Sequence, residues 1–75
     1  MKELVLRIVK SLADHSEQVN AEESEHNGVV TLRLAIAESD KGKIIGKQGK
    51  VIKAIRAVVG AAAAKAGKKA SVEID

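Results

Sequence analysis

Cysteine and all three aromatic residue types are missing from the 75 positions of this sequence. Without cysteine there is neither a disulfide framework nor a thiolate zinc site, and two histidines, His15 and His26, are too few to replace one. The expectation is a protein with no metal and no cofactor in a reducing, intracellular setting. The lack of Phe, Tyr and Trp also removes the stacking platforms on which many single-strand nucleic-acid binders and RRM domains rely. Any contact with a base is then expected to use aliphatic surface and backbone.

Long apolar runs are missing too. The first segment opens with Lys2 and Glu3 and is broken by Arg7 and Lys10, so it reads as neither a signal peptide nor a membrane span. A cytoplasmic location with no membrane contact is expected. Seventy-five residues make one domain, 1–75, which buries only about 60% of the surface its unfolded chain exposes.

Acidic residues are present but unevenly placed. Residues 1–40 carry four basic and eight acidic side chains, whereas 41–69 carry nine basic ones and no acid. The formal charge of +3 therefore understates a cationic stretch that attracts polyanions over about 8 Å at physiological salt. The same lysines also suit plain solvated helix faces.

Leu4, Val5, Ile8, Val9 and Leu12 make the one-sided stripe of an amphipathic helix ending near Asp14, assigned to packing. Val19 and Ala21 begin an acidic strand whose Glu22, Glu23 and Glu25 suit an exposed sheet edge. Asn27-Gly28 marks a tight hairpin into the run Val29 to Ala37. There Val30, Leu32, Leu34 and Ile36 face the core, and Val29, Thr31, Arg33, Ala35 and Ala37 face outward.

Ser39-Asp40 offers an N-cap to a short helix over Lys41 to Ile45, which Gly46 ends in a left-handed conformation. A longer helix follows from about Lys50 to Ala66, stopped by Gly67, and Ala70 to Asp75 alternates as a closing strand. The order α-β-β-α-α-β predicts an α+β domain of two layers, with three helices on one face of a three-stranded sheet.

The stretch Gly42-Lys43-Ile44-Ile45-Gly46-Lys47-Gln48-Gly49-Lys50-Val51-Ile52 carries the chemistry. A Walker A loop needs glycine five positions before its Gly-Lys pair, but Lys41 and Ile44 stand there, and no Ser or Thr follows either lysine. A dinucleotide fingerprint needs glycine where Ile44 stands. What remains is a Gly-x-x-Gly loop between two helices. Its glycines allow a sharp turn and a close ligand backbone, and the start of the second helix favours an anion.

These residues resemble the signature of KH domains, whose GXXG loop clamps about four nucleotides of single-stranded RNA. The element order is similar to the type II, prokaryotic arrangement, a mixed sheet with the helices on one face, and the length to the KhpA-like family of small bacterial RNA-binding proteins. The resemblance implies that Gly46 and Gly49 shape the loop, that Lys47, Gln48, Lys50, Lys43 and Lys53 face the RNA backbone, and that one of Ile44 and Ile45 lines the groove while the other packs inward. Arg33 is either a rim contact or a solvated residue, the second being favoured. Sequence selectivity is expected to be slight.

The long helix carries a second apolar surface. Ile52, Ile55, Val59, Ala62 or Ala63, and Ala66 form a core stripe, yet Val51, Ala54, Val58 and Ala61 widen it, and no charge falls between Ala57 and Ala64. Either alanine stands on the surface for its helix propensity, or a face containing Val58 packs against a second subunit. The resemblance implies the latter, as a homodimer or a heterodimer with a larger KH-containing protein.

An enzyme is the weakest reading. No carboxylate stands in the cationic stretch to serve its lysines as base, His15 and His26 are isolated, and no small-molecule substrate is expected. Two readings stay open: an RNA-binding chaperone or adaptor in RNA metabolism or ribosome assembly, and a protein-interaction module acting through the apolar face of helix 50–66.

Overall fold

A computed structural model describes residues 1–75. The regular elements are α1 (Lys2–Leu12), β1 (Asn20–His26), β2 (Val29–Ala35), α2 (Lys41–Ile45), α3 (Lys50–Lys65) and β3 (Lys69–Ile74), with single 3-10 turns at Ser16–Gln18, Glu38–Asp40 and Lys47–Gly49. The order is the predicted α-β-β-α-α-β.

The hairpin follows from Asn27-Gly28. Both residues have positive φ, 51° and 78°, the geometry of a two-residue type I′ turn, whose twist matches the strands it joins. β1 and β2 therefore pair antiparallel with Ala21 opposite Leu34 and Glu25 opposite Val30. β3 joins the far side of β2 in parallel, Val72 opposite Leu32, so the sheet is mixed in the order β1-β2-β3.

One face of this sheet is covered by all three helices. Val30, Leu32 and Leu34 of β2, with Ala21 and Val72 from the flanking strands, meet Val5 and Val9 of α1, Ile44 of α2, and Ile52, Ile55 and Val59 of α3. The opposite face is open to solvent, where Arg33 lies 3.5 Å from Glu73 and 3.6 Å from Asp75 across the neighbouring strand. Arg33 is thus a solvated, ion-paired residue on the sheet face away from the helices. Two of the three acids of β1 are engaged by other elements: Glu23 accepts the Lys2 amide at 2.8 Å, and Glu25 pairs with Lys68 at 2.7 Å.

Three local expectations are corrected. The alternation of β2 stops at Ala35, and the chain then turns, so Ala37 is buried and Ile36 only half-buried. Asp40 does not cap α2. Its side chain makes no bond to that helix, and it is buried because it reaches back to the segment after α1. The long helix ends one residue early, at Lys65, where Gly67 at φ 73° lets its own amide and that of Lys68 bond the carbonyls of Ala64 and Ala63, leaving Ala66 exposed.

Candidate nucleic-acid interface

The corner between α2 and α3 is built around two glycines with different needs. Gly46 has φ 79° and ψ 169°, a region only glycine occupies readily, rather than the left-handed helical cap that its sequence position predicts. A Cβ there would also collide with Val51, lying 2.8 Å from its Cβ and its amide nitrogen. Gly49 has φ 74° and ψ 16°, true left-handed geometry, and a Cβ on it would meet only ordinary contacts, the nearest at 3.9 Å.

Between them the chain makes one tight turn, closed by the Gly49 amide donating to the Gly46 carbonyl at 3.1 Å. Gln48 occupies the third turn position with φ 57°, a conformation that costs a residue with a Cβ of order 1–2 kcal/mol. Lys47 and Gln48 are both exposed, so the corner presents a cation and an amide on a backbone held by the helices on either side.

α2 sorts the two isoleucines as expected, with one inward and one outward. Ile44 is fully buried in the core, while Ile45 is 40% exposed beside the corner. Lys50 and Lys53 extend the cationic surface up α3, and both are exposed. Lys43 is differently placed: its ammonium sits 2.7 Å from the Asp14 carboxylate at the end of α1. That hydrogen bond raises its pKa, with desolvation opposing and the negative charges of Asp14 and Asp40 adding to the rise.

Asp40 anchors this region. One carboxylate oxygen accepts the Asp14 amide at 3.1 Å and the other the His15 amide at 2.9 Å, fastening the exit of α1 to the entry of α2. The His15 bond holds the Asp40 carboxyl below its ordinary range, with burial opposing and the Asp14 amide adding to the effect.

A second surface lies on the other side of α3. Leu4, Ile8 and Leu12 of α1 and Val51, Ala54, Ile55 and Val58 of α3 line an open groove of about 410 Å³ with no polar residue in its walls. Val51, Ala54 and Val58 are thereby brought together, whereas Ala61 is exposed outside the lining. Sequence reasoning missed the α1 wall because it gave the whole stripe to packing. Only Val5 and Val9 of that stripe are buried, and Leu4, Ile8 and Leu12, at i, i+4 and i+8, form a second row beside them.

A helix pair joined by a glycine-only Gly-x-x-Gly turn, packed on a mixed β1-β2-β3 sheet within an α-β-β-α-α-β chain, defines a KH domain of the type II arrangement. Comparison with known proteins narrows the class. The model of the KhpA/KhpB KH domain matches residues 2–74. The RNA-binding protein KhpA of Clostridium perfringens is 51% identical over 74 residues, covering 99% of each chain. Its namesakes in Listeria monocytogenes and Bacillus subtilis are 45% and 40% identical over the same length, covering 99% of this chain and 97% and 91% of theirs. The chain belongs to the KhpA/KhpB KH-domain family.

Proposed function

We propose that this chain is a non-catalytic RNA-binding protein, a single KH domain over residues 1–75 that grips the backbone of single-stranded RNA at the Gly46-Lys47-Gln48-Gly49 corner. The observation that carries the reading is the corner itself: Gly46 has no room for a side chain, Gln48 is held in a left-handed conformation, and Lys47 and Gln48 project outward. Strain of this kind, kept in place by the surrounding packing, is a mark of ligand clamps. The relatives named RNA-binding protein KhpA support the same ligand.

Gly46 and Gly49 give the phosphates a close approach, Lys47, Gln48, Lys50 and Lys53 supply charge and hydrogen bonds, and Ile45 offers an apolar floor beside them, with Ile44 supporting it from below. Lys43 contributes its charge while tethered to Asp14. The test is to replace both Lys47 and Gln48 with aspartate, which should abolish binding of a fluorescent single-stranded RNA while leaving the thermal midpoint nearly unchanged. Wild-type affinity should fall with salt at a logarithmic slope of about −0.7 per phosphate contact, which a lysine-driven backbone grip requires.

The apolar groove between α1 and α3, lined by Val51, Ala54 and Val58 of α3 and Leu4, Ile8 and Leu12 of α1, supports a second contact with another KH chain, which the exposed Ala61 extends beyond the lining. The partner is a second copy or a larger KH-containing protein. Pairing sets two clamps on one RNA and raises avidity through effective concentration. A cytoplasmic chaperone or adaptor acting in RNA metabolism or ribosome assembly fits this combination of broad grip and paired clamps.

A further inference from the structure

The side of α3 turned away from the apolar groove faces the outer edge of the sheet. On β3, the Lys69 amide bonds the Gly28 carbonyl and the Asp75 amide bonds the Leu34 carbonyl, both at 3.0 Å, so the odd-numbered residues point their backbone groups toward β2. By the alternation of a strand, Ala70, Val72 and Ile74 point theirs toward the open edge. One of these groups is engaged: Arg56, on α3, donates its Nε–H to the Val72 carbonyl at 3.2 Å.

That bond engages the inner nitrogen of an exposed side chain, and no hydrogen bond or ion pair takes up its paired Nη1 and Nη2 donors. Arg56 stands on the same side of α3 as Gly49 and Lys53, at three- and four-residue spacing, about 10 Å along the helix from the glycine corner. A four-nucleotide stretch held at that corner covers this distance.

The next residue on that side is Gly60, four residues beyond Arg56. It lies in the interior of a helix, where glycine is disfavoured, yet a Cβ on it would meet nothing within 4 Å. Packing gives no reason for glycine here. The bare backbone at Gly60 leaves open space one helical turn beyond Arg56, on the same side of α3, in which a planar group fits.

Composition adds a further constraint. With no Phe, Tyr or Trp, the flat side chains available to a base are the imidazoles of His15 and His26 and the guanidinium planes of Arg7, Arg33 and Arg56. His15 follows α1 beside Glu17, His26 ends β1 at the hairpin, Arg33 is on the far face of the sheet, paired with Glu73 and Asp75, and Arg7 is on α1. Arg56 alone shares a helix side with the glycine corner.

We propose that Arg56 and Gly60 form a one-base subsite, in which the Nη1/Nη2 edge of Arg56 donates two hydrogen bonds to a base that presents adjacent acceptors. Guanine does so with O6 and N7, and cytosine with O2 and N3, whereas neither adenine nor uracil places two acceptors side by side on a base edge. The inference rests on the RNA-binding reading above and adds a preference at one position to an otherwise sequence-tolerant grip.

The test uses the full chain and uridine octamers carrying a single central G, C, A or U. Wild type binds the G or the C octamer, or both, at least about fivefold more tightly than the A and U octamers, the lower bound for a bidentate contact. Arg56→Lys keeps the charge and loses the planar fork, so the four affinities converge; Gly60→Leu, which fills the open space, has the same effect. Arg33→Lys leaves the preference intact. Equal binding of all four octamers by wild type, or a preference that survives Arg56→Lys or Gly60→Leu, overturns the subsite while leaving the backbone clamp standing. Failure to bind any octamer overturns both.

Discussion

Val51 occupies the space that a side chain on Gly46 would need: a Cβ built on Gly46 falls 2.8 Å from the Val51 Cβ. The same valine lines the apolar groove between α1 and α3. The clamp and the groove therefore meet at one residue, which packs under the corner on one side and faces the groove on the other.

Gly46→Ala combines this collision with a backbone conformation foreign to alanine. It should cost about 3 kcal/mol or more, whereas Gly49→Ala, left-handed but sterically open, should cost about 1–2 kcal/mol. Urea denaturation of the two variants checks the order.

Gly60 gives the opposite sign. Alanine enters open space in a helix interior, so Gly60→Ala should stabilise the protein by about 0.5–1 kcal/mol, read as a higher thermal midpoint.

Asp40 ties stability to acid. Its pKa is lowered in the folded chain, so its contribution is complete above the ordinary value of 3.8 and is lost as pH falls from there through the folded value. Asp40→Asn should destabilise the protein at pH 7, and the gap between the two proteins should close in that acidic window. Thermal melts from pH 7 to pH 2 measure it.

Lys43 has the opposite linkage. Its folded pKa is raised above 10.5, so the stability supplied by the Asp14 pair is complete below that value and is lost as pH rises through the folded one. The pair is exposed, and its effect on the melting midpoint should be small.

Val58 is 49% exposed and Leu12 40%, on opposite walls of one apolar groove. If this groove is where two chains meet, Val58→Asp and Leu12→Asp should each convert a dimer to a monomer in light scattering without unfolding it. A wild-type chain that stays monomeric at high concentration contradicts self-association.

Elements with strong local signals were legible from the sequence. Asn27-Gly28 specified the hairpin, the alternation of Val30, Leu32 and Leu34 chose the buried face, and the spacing of Gly46 and Gly49 located the corner. Features that depend on distant partners were not. Asp40 looks like a helix cap in sequence and becomes a clamp only because the chain after α1 passes beside it. The two rows of the α1 stripe cannot be told apart until α3 is laid against one of them. Arg56 was legible only as one cation among nine, since its bond to Val72 depends on how α3 crosses the edge of β3.

The clamp is tested most directly by titrating isotopically labelled protein with an unstructured RNA octamer and following its backbone amides by NMR. The account predicts the largest shifts at Gly46, Lys47, Gln48, Gly49 and Lys50, with Thr31, Arg33 and Glu73 on the open sheet face unmoved. Largest shifts on that sheet face, with the corner silent, would contradict it.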